Sequence, residues 1–294
     1  MGPGESCIRL FLSVDLVGST ALKSDKATDV SGYRYGPPWV NIFTQFYSGF
    51  PRVFDQTLDN TELKESLRPR LVKTIGDEIL LQTKIENSSD ARSLVRFFAK
   101  ALAHYTAKNL ASERLQLKGT AWIAGFPINN HRLFLSDHGQ AAPADFIGPS
   151  IDTGFRIAKS ATPTKLVVSV DLAVLLVTPI DDALDLYVDG TQTLRGVLGG
   201  KPYPIIWYKV PGADAKLHEA EIALGHRQDK TQIQRYCEAY LESCNKSWLI
   251  RPYFAADSEF AQRPDWHERI LQTLVQVDAR NELDFDETTE LAGK

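Results

Sequence analysis

Two aspartates interrupt apolar, strand-like runs of this chain, and each stands close to a glycine. Asp15 lies in FLSVDLVGST, residues 11–20, and Asp77 lies in RLVKTIGDEILLQTKI, residues 70–85. Carboxylates at the ends of neighbouring strands converge on hard cations such as Mg2+ or Mn2+, which take oxygen ligands. The residues after Asp15 (Leu16, Val17, Gly18, Ser19 and Thr20) lead toward a helix and end in small side chains. Backbone N–H groups left bare in this way hold phosphate oxygens. A nucleotide site built around two divalent cations is therefore expected. Either aspartate alone also reads as a cap or turn residue; the matched setting of the pair favours metal.

Strands and helices must bring these residues together. Residues 8–15 read as a strand, and a break follows at Gly32, Gly36, Pro37 and Pro38. PPWVNIFTQFYSGFPRVF, residues 37–54, carries Val40, Phe43, Tyr47 and Phe50 at helical spacing, with its prolines near the first turn. Gly76-Asp77 joins two β-rich runs as a hairpin. Residues 88–113 open on serine and aspartate caps and align Leu94, Phe97, Phe98, Ala101, Leu102 and Tyr105 on one face. LQLKGTAWIAGFPI, residues 115–128, is expected to be a further strand pair. Residues 145–161 read as a loop and helix, 164–176 as a strand and short helix, and 186–210 as a final hairpin. This order predicts an α+β sandwich, one mostly antiparallel sheet with helices packed on it. Past Gly212 the texture becomes charged and helical, so the expected domains are 1–212 and a helical extension over 213–294, with an acidic, disordered end.

The motifs resemble those of the class III nucleotidyl cyclases. FLSVDLVGST is similar to the first metal-aspartate motif and VKTIGDEIL to the second. DFIGPSIDTGFRIAKSA has the spacing of the family's D-x-x-G-x-x-x-N-x-x-x-R segment. The resemblance spans about residues 8–210 and implies a class III cyclase-like sandwich with a ferredoxin-like βαββαβ core. It implies that Asp15 and Asp77 bind two divalent cations, Mn2+ or Mg2+, assisted by the Leu16 carbonyl. It also implies that residues 16–20 hold the β- and γ-phosphates, that Lys73 and Asp145 read the base, and that Arg156 stabilises the transition state at the α-phosphate. Asp152 stands where the family has a ribose-orienting asparagine. An ionised aspartate cannot donate a hydrogen bond, so this departure touches the ribose role. Arg195 and Lys201 are both candidates for the family's late phosphate-binding lysine.

In the family the metal aspartates and the base- and arginine-bearing motif come from opposite subunits, so the resemblance implies a homodimer with composite sites. The lysine–aspartate pair looks like the adenylate cyclase pattern. The size of the chain and its VGST and GDE motifs are most similar to the bacterial Pycsar anti-phage cyclases, which make cyclic UMP or cyclic CMP for a separate effector protein. A bulky ring, Tyr47 or Phe46, shortens the base pocket in that reading and favours a pyrimidine, with UTP the expected substrate. ATP is the alternative substrate, and an inactive nucleotide-binding module is the alternative of another class.

Composition narrows the field further. The chain has 294 residues, 43% of them hydrophobic, enough for a substantial core. A net charge of -4 argues against a nucleic-acid partner. No apolar run reaches the roughly 18 residues of a membrane span. Cys7, Cys237 and Cys244 lack metal-type spacing and read as reduced thiols of a soluble cytoplasmic protein. The chain contains no G-x-x-x-x-G-K-[ST], H-E-x-x-H or G-x-S-x-G.

Overall fold

A seven-stranded sheet forms the centre of the first 210 residues. The computed structural model describes residues 6–25, 38–59, 63–113, 115–133, 136–137, 140–141, 145–212 and 229–274. The expected break over residues 32–37 and the acidic end of the chain lie outside them.

The first half runs β1 (Cys7–Val17), α1 (Ser19–Asp25), α2 (Pro38–Asp59), β2 (Arg70–Ile75), β3 (Glu78–Ile85), α3 (Ser88–Tyr105) and β4 (Gln116–Phe126). Three short strands follow, β5 (His131–Leu133), β6 (Ser136–Asp137) and β7 (Gln140–Ala141). Then come β8 (Asp145–Ile147), α4 (Pro149–Ile157), β9 (Lys165–Val168), α5 (Val170–Val177), β10 (Leu186–Thr193) and β11 (Pro202–Lys209). The main sheet has the order β10-β11-β9-β4-β1-β3-β2, and every neighbouring pair is antiparallel except β4 with β9. Its β4-β1-β3-β2 half, with α2 and α3, is the ferredoxin-like βαββαβ unit. The α+β class expected from the element order is the one observed.

Period-two alternation on β1 sorts its side chains between two layers. Leu10, Leu12 and Val14 enter the large core shared with α2 and α3, whereas Phe11 joins Trp122, Phe146 and Ile151 on the opposite face. On α2 the buried stripe is Phe43, Phe46, Phe50, Phe54 and Leu58, spaced three or four apart, and it packs on Phe98 and Tyr105 of α3. Burying each of these rings contributes about 2–3 kcal/mol. The α3 cap is Asn87 rather than the expected serine and aspartate; its side chain accepts the Asp90 N–H at 2.8 Å. Asp90 reciprocates one turn earlier by accepting the Glu86 N–H at 2.9 Å.

One expectation is overturned. Residues 115–128 do not form a strand pair; Gln116–Phe126 is a single long strand. A Cβ on Gly119 would stand 2.5 Å from Leu102 of α3, so this glycine admits a helix against the strand instead of turning the chain.

After β11 the chain continues as a helix, Lys230–Cys244, capped by Asp229, which accepts the Thr231 N–H at 2.9 Å. Ile233, Cys237 and Leu241 lie on its buried face, in the same core as the sheet and α5. Residues 265–274 are helical again. Cys7, Cys237 and Cys244 are buried and none forms a disulfide among the described residues. Among the described residues no helix is long and apolar enough to cross a membrane.

Candidate active site

The register of three strands assembles a charged lip at one end of the sheet. Asp15 of β1 stands opposite Glu78 of β3 on one side and Lys118 of β4 on the other. Asp77 occupies the β2–β3 turn, and its backbone carbonyl accepts the Leu16 N–H at 3.2 Å. Both sequence-predicted metal aspartates therefore sit at the same lip. Burial raises the Asp15 carboxyl above its ordinary pKa; the Lys118 hydrogen bond and charge oppose this, and the Asp77 charge adds to it. Lys118 Nζ lies 2.9 Å from Asp15 Oδ2. Glu78 is also raised, by burial first and by the Asp15 charge, against a hydrogen bond donated by Ser13 Oγ.

Residues 16–20 are not the continuous loop expected. Leu16 and Val17 remain in β1, paired with Leu117 and Gln116, because β4 extends the ladder two residues beyond Asp15. Only Gly18 turns. Its φ of +91° lies in a region that side chains avoid, and Leu22 N–H returns to its carbonyl at 3.1 Å to start α1. Ser19 is buried and its hydroxyl donates to Asp77 Oδ2, so its side chain is committed to the lip. Thr20 is exposed.

Lys73 and Asp145, the predicted base-reading pair, meet directly. Lys73 Nζ donates to Asp145 Oδ1 at 2.6 Å and to Oδ2 at 2.7 Å. Burial pushes the Asp145 carboxyl up, but the Lys73 contacts and the Phe146 N–H outweigh it and hold the group below its ordinary value. Around this pair the edge elements β2 and β8 expose Leu71, Ile75 and Ile147.

Asp152 and Arg156 lie one turn apart on α4, both exposed, and neither side chain has an ion-pair or hydrogen-bond partner among the described residues. Their outward direction follows from the opposite face of the helix. A Cβ on Gly154 would lie 2.2 Å from the Trp122 ring, so glycine there seats α4 flat on β4.

The two aromatic candidates separate. Phe46 is fully buried between Phe50 and Tyr105, which removes it from any base pocket. Tyr47, one residue on, faces the lip, and its hydroxyl donates to the Gly76 carbonyl. Arg195 is exposed. Lys201 is tied to the Lys230–Cys244 helix, donating to the Ser243 carbonyl at 2.7 Å and hydroxyl at 2.8 Å, which takes it out of contention as a free phosphate ligand.

Lys118 escaped the sequence reading. In QLKGTA it is a strand lysine between apolar neighbours, a pattern that ordinarily marks a solvated stem. Its register opposite Asp15 is the missing signal.

The donor set suits a hard divalent cation. Two half-buried carboxylates stand at the lip, burial and the Asp77 charge raise the carboxyl of Asp15, and an ammonium already pairs with it. Among the described residues there is no group of three or more histidine, cysteine, aspartate or glutamate side chains arranged for a metal.

No family model matches the sequence, and no curated protein matches it. Solved structures do. The adenylyl cyclase CyaB from P. aeruginosa is similar with a TM-score of 0.51 at 10% identity, over 70% of this chain and 95% of that one. The guanylate cyclase domain of RhGC from Catenaria anguillulae, in complex with GTP, gives a TM-score of 0.50 at 10% identity, over 70% and 97%. The chain thus has the fold of class III cyclase catalytic domains.

Proposed function

We propose that this chain is a nucleotidyl cyclase, converting a nucleoside triphosphate into its 3′,5′-cyclic monophosphate and pyrophosphate. The observation that carries the reading is the convergence of Asp15 and Asp77 on one lip, beside the turn at Gly18, within this fold.

Asp15, Asp77 and the Leu16 carbonyl would hold divalent cations, which when bound would supply Lewis acidity to the ribose 3′-hydroxyl and charge neutralisation to the departing phosphates. The chain's own residues do the rest. The turn from Gly18 to Thr20 presents backbone N–H groups to the triphosphate, and Lys118 adds a positive charge at the same lip. Lys73 and Asp145 read the base, with Tyr47 closing the pocket from the β2–β3 turn. Asp152 lies at the ribose, and Arg156 meets the negative charge that grows at the α-phosphate.

In this reading the enzyme works as a homodimer. Arg156 and Asp152 point outward without partners among the described residues, and Leu71, Ile75 and Ile147 leave an apolar rim around Lys73–Asp145 for a second copy to cover. Residues 1–212 form the catalytic domain and 213–294 the extension. UTP is the proposed substrate, its cyclic product serving as a cytoplasmic messenger in bacterial anti-phage defence, read by a separate effector. The direct Lys73–Asp145 contact, the adenylate-type pair, favours ATP as the second reading.

Purified protein with Mn2+ and each of ATP, GTP, CTP and UTP decides the matter. One triphosphate is expected to yield its cyclic monophosphate. Consumption of ATP alone removes the pyrimidine reading, and consumption of none removes the cyclase reading.

A further inference from the structure

The β2–β3 turn that carries Asp77 has little packing to hold it. Ile75 pairs with Glu78, so the turn consists of Gly76 and Asp77 alone. Gly76 has a φ of +64°, and a Cβ built there would meet nothing within 4 Å beyond its chain neighbours, so the tip stands in open space. Hydrogen bonds fix it instead. Two of them hold its main chain: the Tyr47 hydroxyl donates to the Gly76 carbonyl, and the Leu16 N–H donates to the Asp77 carbonyl at 3.2 Å. Neither acts on the Asp77 side chain, which by itself would sample several rotamers.

The Ser19 hydroxyl is the group that reaches the carboxylate. It comes from 58 positions away, at the start of α1, and donates to Asp77 Oδ2. Oδ1 accepts no hydrogen bond among the described residues. Ser19 is 2% exposed. Its hydroxyl carries one proton, and a proton given to Asp77 is not donated to a phosphate at the same time. The other two carboxylates of the lip have donors of their own, Lys118 on Asp15 and Ser13 on Glu78. Two serines, two residues before Asp15 and four after it, thus each hold one carboxylate of the β2–β3 hairpin.

We propose that Ser19 is the positioning residue of Asp77: its hydroxyl holds the carboxylate in the orientation in which it takes a divalent cation together with Asp15, before the cation arrives. This role rests on the reading of Asp15 and Asp77 as the cation ligands, and it does not depend on which nucleotide is used. A ligand that is already oriented loses less freedom when the cation binds. A hydrogen-bond partner behind a ligating carboxylate is typically worth tenfold or more in metal affinity. The side chain of Ser19 therefore serves the cation through Asp77, whereas its main-chain N–H is the part that faces a triphosphate.

Titration of the nucleotide-free full chain with Mn2+, with the free ion read by electron paramagnetic resonance, tests this role without turnover. Ser19→Ala is expected to melt cooperatively and to bind Mn2+ about tenfold more weakly than the wild type. In an Asp77→Ala background the same substitution should weaken binding no further, because the group it acts through is gone. The proposal is overturned if Ser19→Ala binds Mn2+ like the wild type while Asp77→Ala does not. It is equally overturned if the double variant falls below Asp77→Ala by as much as Ser19→Ala falls below the wild type, since Ser19 would then act on the lip independently of Asp77. Wild-type Mn2+ affinity in Asp77→Ala would instead overturn the reading of the metal site, and this proposal with it.

Discussion

Lys118 and Asp15 face each other across the β1–β4 ladder, with Nζ 2.9 Å from Oδ2. The ammonium occupies, on Asp15, the role that a divalent cation would fill, and it also adds the positive charge a triphosphate needs. Lys118→Met should therefore separate two affinities. Without the competing ammonium, the nucleotide-free protein binds Mn2+ more tightly, by roughly threefold to tenfold. The KM for the triphosphate rises by about tenfold or more. Calorimetric titration of Mn2+ and steady-state kinetics read the two effects. A KM that stays unchanged would leave Lys118 a structural counter-ion only.

Asp15→Ala and Asp77→Ala remove the two carboxylates. Each is expected to lower turnover by at least about a thousandfold and to weaken Mn2+ binding, with the melting temperature near or above that of the wild type. Burial and mutual repulsion raise the carboxyl of Asp15 in the native protein, so loss of the charge relieves strain at the lip. Turnover near wild type in either variant would show that the metal is held elsewhere.

Arg156 and Asp15 belong to different halves of a shared site in the proposed dimer. An equal mixture of Asp15→Ala and Arg156→Ala chains, refolded together, should recover about one quarter of wild-type activity. Half of the dimers are then mixed, and each mixed dimer keeps one intact site of two. Sedimentation or native mass spectrometry verifies that mixed dimers form; mixed dimers without activity would place both residues in one chain's site.

Lys73 donates to both oxygens of Asp145, so each residue fixes the other. Exchanging the pair's polarity pattern should change the choice of base. Lys73→Glu is expected to lower kcat/KM for the preferred triphosphate by about a hundredfold or more and to shift the ranking among the four nucleotides, since a site built to hydrogen-bond one base edge rejects others strongly. A uniform loss on all four would mean that the pair supports the fold of β2 and β8 rather than reading the base.

Asp171, buried at the start of α5, links stability to pH. Burial pushes its carboxyl up to about 6, against hydrogen bonds from the Ser169 hydroxyl and the Leu172 N–H. The folded value lies above the unfolded one. The native state therefore keeps the proton while the unfolded chain releases it, and stability is lost as pH rises from about 4 to about 6. The loss is on the order of 3 kcal/mol and is complete above that range. Denaturant titrations at pH 4 and pH 7.5 should show Asp171→Asn gaining on the wild type by that order between the two. A gap that does not change with pH would mean that Asp171 titrates normally.

Much of this molecule was legible along the chain. The period-two run of β1, the Gly76-Asp77 turn and the three- and four-residue spacing of Phe43, Phe50, Phe98 and Tyr105 are local patterns. Each element buries one face, and the face is written into its own residues. The order of those elements was enough to predict the α+β class and to place Asp15 and Asp77 at strand ends. The long β4 was misread because glycine within a strand signals either a turn or a close neighbour, and only the position of Leu102 tells which.

What the sequence could not decide depends on partners far away along the chain. Phe46 and Tyr47 are adjacent aromatic residues of one helix, yet one is buried against Tyr105 and the other reaches Gly76. The pairing of Lys118 with Asp15 required the register of β4 on β1, and the contact of His267 with Ser6 required the return of residues 247–267 to the start of β1. Local spacing determines which face of an element is apolar. Tertiary packing alone determines which charge meets which, because electrostatic and hydrogen-bond energies act over a few ångströms and the residues concerned lie up to 261 positions apart.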